Sequence, residues 1–178
     1  MMIYILIGLV LLFVVVPIIS ILPNEEQRAL MKVRKIAMSR GIGVELTTIP
    51  DHAAQAVKRI SGSGRPMTPV IKVAAYRRYR KRPQSRHDLP AISWSVLKAD
   101  EGDDALPGKW KWQEQPALQN AQSLKLFLAE KLEYLPESVV SVTEKNRAVS
   151  VHWIESGDAC QAEIIFSFLD DCINWSDS

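Results

Sequence analysis

The chain has 178 residues, 47% hydrophobic and 24% charged, with a net charge of +2. That length supports one domain or two small ones, and the composition excludes collagen, an acidic disordered chain, a disulfide scaffold and a multi-spanning transporter. Two cysteines and three histidines leave little material for a metal site.

The first 22 residues carry no charged side chain. Ile3 to Leu22 is apolar apart from Tyr4, Gly8, Pro17 and Ser20. As a helix rising about 1.5 Å per residue, such a run spans roughly 30 Å, the hydrocarbon thickness of a bilayer. A cleaved signal peptide would need a basic start, a shorter apolar core and a small-residue cleavage site, and none of these is present. The sequence therefore predicts an uncleaved transmembrane anchor over residues 1–23, with a kink at Pro17. Arg28, Lys32, Arg34, Lys35 and Arg40 follow it, and no Lys or Arg precedes it. The positive-inside rule then puts the N-terminus in the periplasm of a bacterial inner membrane and the C-terminal domain in the cytoplasm. In that reducing compartment Cys160 and Cys172 are expected as free thiols, and only the opposite orientation would leave a disulfide between them open.

Residues 24–41 read as a basic juxtamembrane helix. Asn24 is suited to cap it, Gln27 completes a capping box, and Glu25 and Glu26 complement the helix dipole. Leu30, Val33, Ile36 and Ala37 form its apolar stripe, Arg28, Lys32 and Lys35 lie on another face, and Gly41 ends it. That basic face suits solvent or lipid headgroups. Residues 42–178 read as an α+β domain with a mostly antiparallel sheet and two or three helices, interrupted by a flexible loop near 61–69. Gly43–Ile49 reads as a strand with Val44, Leu46 and Thr48 on one side, Asp51–Ile60 as a short helix, and Val70–Tyr79 as a second strand. Ile92, Trp94 and Val96 alternate in a third strand, and Trp110 and Trp112 share a face of a fourth. A helix is expected from Pro116 or Leu118 to Leu132, with Leu124, Phe127 and Leu128 on its apolar stripe. Val139–Thr143 and Ala148–Ile154 read as strands joined by a turn at Glu144–Arg147. Val149, Val151 and Trp153 face the core and Ser150 faces solvent. Cys160, Ala162, Ile164, Phe166 and Phe168 alternate with polar residues, which predicts a last strand with Cys160 buried.

Charge is divided unevenly. Residues 24–87 hold 15 basic and 4 acidic side chains, and residues 88–178 hold 7 basic and 16 acidic, giving +11 against −9. The halves either pack together and neutralise each other or leave a basic surface open. Arg77, Arg78, Tyr79, Arg80, Lys81 and Arg82 are the candidate contact residues. Basic residues interleaved with an aromatic suit anionic lipid, a protein partner or nucleic-acid phosphates and bases, and they equally suit a solvated strand end. Other candidates read as structural. Ser61-Gly62-Ser63-Gly64 lacks the phosphate-loop pattern. His152, Glu155, Asp158 and Cys160 do not share a face, as metal ligation or a Cys–His pair would require. His87-Asp88 reads as a turn, and the tryptophans as core. No acid–base or nucleophile set converges, so neither enzymatic activity nor a cofactor is expected.

Leu22-Pro23 after the anchor, Gln27-Arg28, Gly41-Ile42-Gly43-Val44-Glu45-Leu46, Tyr76-Arg77, Trp110-Lys111-Trp112, Leu135-Pro136-Glu137 and Val149-Ser150-Val151-His152-Trp153 together form a pattern. It resembles uncharacterised single-pass inner-membrane proteins of proteobacteria, some of them labelled YajC-like accessory subunits of the preprotein translocase. The resemblance implies a membrane-anchored accessory subunit or adaptor, with the bilayer and another membrane protein as partners. It implies no site residue.

Overall fold

The computed structural model describes residues 2–21, 24–50, 59–60, 66–67, 69–80, 92–100, 102–116 and 121–175. Helix α1 runs over Met2–Ile21 without an acidic or basic residue in its terminal turns. Its side chains are described over Met2–Val15, nearly all of them apolar and all exposed. That stretch covers about 21 Å. Among the described residues, no helix is long and apolar enough to cross a membrane. The helix expected at the N-terminus is present.

Helix α2 (Glu25–Ser39) starts as its sequence requires. Asn24 Oδ1 accepts from the Glu25 amide, and Gln27 Oε1 accepts from the Asn24 amide at 3.3 Å, which completes the capping box. It ends at Gly41, whose φ of +75° is a conformation that glycine adopts without strain. Val33 and Ala37 are buried, with Leu30 and Ile36 beside them.

Strands β1 (Gly43–Pro50), β4 (Val70–Tyr79), β5 (Trp94–Lys98), β6 (Trp110–Glu114), β7 (Val139–Lys145) and β8 (Ala148–Trp153) form one sheet in the order β1-β4-β8-β7-β5-β6, antiparallel throughout. A small second pair joins β2 (Arg59–Ile60) to β3 (Pro66–Met67). The short helix expected over Asp51–Ile60 therefore gives way to strand at its last two residues, and its remainder lies outside the described residues. So does most of the loop near 61–69. The turn between β7 and β8 is narrower than expected. Asn146 and Arg147 take φ of 52° and 65°, the tight primed geometry that suits the strand twist, so Glu144 stays in β7.

Helix α3 (Ala121–Leu132) bears Leu124, Leu128 and Leu132 in the core. The first turn expected for it, including Leu118, lies outside the described residues. The largest correction is at the C-terminus, where Ala159–Asn174 is helix α4 and no strand is formed. Alternation accounts for Ala162, Phe166 and Phe168, but it would turn Ile165 and Leu169 to solvent. A helix collects Ala162, Ile165, Phe166, Leu169 and Cys172 on one face, and all of them are buried. Asp158 caps the helix, with Oδ1 2.8 Å from the Cys160 amide. Cys160 is consequently exposed and Cys172 buried, both as free thiols. They stand twelve positions apart on one helix, about 18 Å along its axis, so no compartment could join them by a disulfide in this fold.

The helix-facing side of the sheet is read directly from the register. Tyr76, Val151, Val142, Val96 and Trp112 form one row across five strands, and Ala74, Trp153 and Val139 form another. These residues and the buried faces of α2, α3 and α4 make one core. The helix against β4 and β8 is α4. Helix α3 lies farther along, where Trp110 Nε1 donates to the Leu132 carbonyl at 3.2 Å. Trp94, Trp110, Trp112 and Trp153 are all core residues, as the sequence reading requires.

Candidate functional site

Strand alternation divides the basic run at the end of β4. Arg78 and Arg80 point to the helix layer, and Arg77 and Tyr79 to the opposite face. Arg78 pairs with Asp170 of α4. Arg80 Nε lies 2.5 Å from Glu144 Oε1, and Arg80 Nη1 donates to the Trp175 carbonyl at 2.8 Å and the Ile173 carbonyl at 3.3 Å, which closes the end of α4. The Trp94 indole donates to the other oxygen of Glu144 at 2.8 Å. Arg77 donates to Ser150 Oγ and pairs with Glu45 at 3.2 Å. Tyr79 is exposed. Lys81 and Arg82 lie outside the described residues, as do His87, Asp88 and the Ser61–Gly64 segment.

The charge division has a structural meaning. Arg34–Glu155, Arg40–Glu163, Arg78–Asp170 and Arg80–Glu144 each join the basic half to the acidic half. The run also lies far from where the N-terminal helix joins the domain. Arg77 pairs with Gly43, next to the end of α2, whereas α1 leads into the start of α2, fifteen residues and about 22 Å away.

A second cluster was not legible in the sequence. Glu155, 7% exposed, accepts from Tyr76 Oη at 2.7 Å and from Arg34 Nε at 3.0 and 3.1 Å, with Arg34 Nη2 also in contact. Its hydrogen bond to Glu155 raises the Arg34 pKa. Burial, reinforced by the same carboxylate, pushes the Tyr76 phenol well above its ordinary range. Tyr76 therefore remains a proton donor to a charge that is already neutralised. The arrangement fastens α2 to β4 and to the end of β8. No local signal marks it, because the three residues are brought together from three elements.

The other candidates are dispersed. His152 lies on the sheet face away from the helices, with Nδ1 3.2 Å from Ser141 Oγ. Glu155 is held by Arg34, Asp158 caps α4, and Cys160 is exposed. Among the described residues, no group of three His, Cys, Asp or Glu side chains could hold a metal ion. Burial lowers the His152 pKa, nearby Arg77 lowers it further, and Ser141 and Glu45 oppose the shift. The unfolded chain then binds a proton that the folded chain resists. Stability is expected to fall as pH drops below about 6.5 toward the lower folded-state pKa, and to be level above that window. His152→Gln should flatten this part of the pH–stability curve, and an unchanged slope would show that His152 is not its source.

Among the described residues, an apolar surface is left exposed at the edge of the sheet. Strand β8 pairs with β4 only from Ala74 onward, so Val70–Val73 and the end of β1 project as a two-stranded ribbon. On its helix-facing side a groove of about 560 Å³ is lined by Leu30, Leu46, Thr48, Lys72, Ile154 and Glu155. Compared with known proteins, the chain matches no family model, no curated protein and no solved structure.

Proposed function

We propose that the chain is a membrane-anchored, non-enzymatic adaptor, an accessory subunit of a bacterial inner-membrane complex, held by α1 and presenting its α+β domain to the cytoplasm. The observation that carries this reading is the run Met2–Ile21, twenty residues of uncharged helix whose described side chains are exposed. It is followed within three residues by a capped helix that packs into a folded domain. The exposed apolar side chains over Met2–Val15 need a cover, and an uncharged helix of twenty residues matches a bilayer in length. The domain's paired acids and bases support a structural role, since Glu144 and Glu155 are each saturated by an arginine and a second donor. The alternative, an anchored domain binding anionic lipid or nucleic acid through Arg77–Arg82, gains no support from Arg78 and Arg80, whose charges are taken up by Asp170 and Glu144.

Orientation is tested first. A reporter active only in the periplasm, fused after Ser178, should be silent, and a cytoplasmic fluorescent fusion should be bright. The reverse pair would overturn the orientation, and a chain that washes off membranes at high pH would overturn the anchor. The adaptor role predicts that one membrane protein co-purifies with the full chain from mild detergent in high salt. Purification of the chain alone, after crosslinking in native membranes, would overturn that role.

A further inference from the structure

We infer that the projecting β1–β4 ribbon and the first turns of α2 form a surface that rests in the lipid headgroup layer, so that the domain lies against the bilayer on a defined side. The inference rests on the anchoring proposed above. Three large apolar side chains are exposed on this one corner, Leu46 at 65%, Val70 at 62% and Ile154 at 47%, and Met31 at 50% follows Leu30 on α2. Leu46, Thr48 and Pro50 on β1 share the helix-facing side with Val70 and Lys72 on β4, and Leu30 and Arg34 of α2 form the other wall of the groove. The ribbon extends about 13 Å beyond the last β4–β8 pair.

Chain connectivity says what covers this corner. Ile21 ends α1 and Asn24 caps α2, so the start of α2 lies at most about 11 Å from the end of α1. Leu30 and Met31 follow within about 9 Å along the helix. The turn before α4 fixes the register of that end, because a Cβ built on Gly157 would stand 3.1 Å from Ala29 Cβ. The apolar corner is therefore the part of the domain tethered nearest to the anchor. Lys72 in the groove supplies a cation at the level of anionic headgroups, an arrangement typical of interfacial surfaces. The Arg77–Arg80 end of β4 then points away from the bilayer.

The test uses the full chain reconstituted in phosphatidylethanolamine–phosphatidylglycerol vesicles. In a Cys160→Ser background, with Cys172 buried, single cysteines at Leu46→Cys, Val70→Cys, Tyr79→Cys and Phe13→Cys are labelled with an environment-sensitive dye. The labels at positions 46 and 70 should shift to shorter wavelength and be quenched at least twofold by a lipid spin-labelled near the headgroup, and the label at 13 by a lipid spin-labelled near the end of its acyl chain. The label at 79 should be quenched by aqueous iodide instead. If the label at 13 is lipid-quenched while those at 46 and 70 are open to iodide, the ribbon stands in water and the inference fails with the anchor intact. If 46 and 70 are shielded from both quenchers, a protein covers the corner and the lipid assignment fails. If the label at 13 is itself unquenched by lipid, the anchoring fails.

Discussion

Replacing Glu144 by alanine is expected to cost about 3–5 kcal/mol, the penalty for leaving a buried partner charge uncompensated. The Glu144 side chain is 1% exposed and lies in the helix-facing row of the sheet, between Trp94 and Val149. A carboxylate there is tolerated because the Arg80 guanidinium meets it at 2.5 Å and the Trp94 indole donates to its second oxygen. The loss has three parts: Arg80 keeps its charge, the Trp94 N–H loses its partner, and a methyl group replaces a packed side chain. Arg80→Met alone should be comparably damaging, because it strands Glu144 and frees the carbonyls of Ile173 and Trp175 at the end of α4. The double variant Glu144→Met with Arg80→Met should recover much of the loss, since an apolar pair can substitute for a buried ion pair. Urea unfolding of the four proteins, followed by tryptophan fluorescence, gives the coupling directly. Additive losses, or a single-variant loss under about 1 kcal/mol, would show that water solvates the pair.

Legibility in the sequence followed the range of each interaction. The capping box of α2, the glycine after it, the inward row Val149, Val151 and Trp153 of β8 and the stripe of α3 depend on neighbours within a few residues, and all of them form, whereas Ser150, expected in solvent, is buried on the other face of β8. The C-terminal segment reads as a strand and folds as a helix because its apolar residues satisfy both periods at 162 and 166, and Ile165, Leu169 and Cys172 decide between them only when counted together. The fates of the arginines depended on partners far along the chain. Arg34 meets Glu155 across 121 positions and Arg80 meets Glu144 across 64. Composition showed that the +11 and −9 halves could neutralise each other, but not which residues would be used. The basic run looked like one surface because its residues are consecutive, and the two-residue period of a strand divides such a run between two environments. The apolar corner had a weak signal, since Leu46 and Val70 look like core positions, and only the register shows that β8 ends level with Leu46 and short of Val70.

Trp153→Ala should cost about 3–5 kcal/mol, as expected for a buried aromatic truncated in a core that cannot fully collapse. Trp153 is fully buried, paired with Ala74 on one side and Val139 on the other. Its ring stands edge-on to Tyr76 with centroids 5.6 Å apart. The helix above this part of β8 is α4, and Phe166 completes the aromatic group at 5.8 Å from Tyr76. Removing the indole therefore leaves a cavity and also withdraws the support of Tyr76, whose hydroxyl holds Glu155 and through it Arg34 of α2. The loss should appear as one cooperative transition, with α2 released together with the sheet. Ser150 is the matched contrast on the same strand. It lies on the other face yet is 5% exposed, and it accepts from Arg77 Nε at 3.2 Å. Ser150→Ala should cost about 0.5–1.5 kcal/mol, the net value of one hydrogen bond, which is more than an open surface position would give. Equal losses at the two positions would mean that the two faces of β8 are equally packed, contrary to the register that sets Trp153 against Tyr76 and α4 and Ser150 against Arg77.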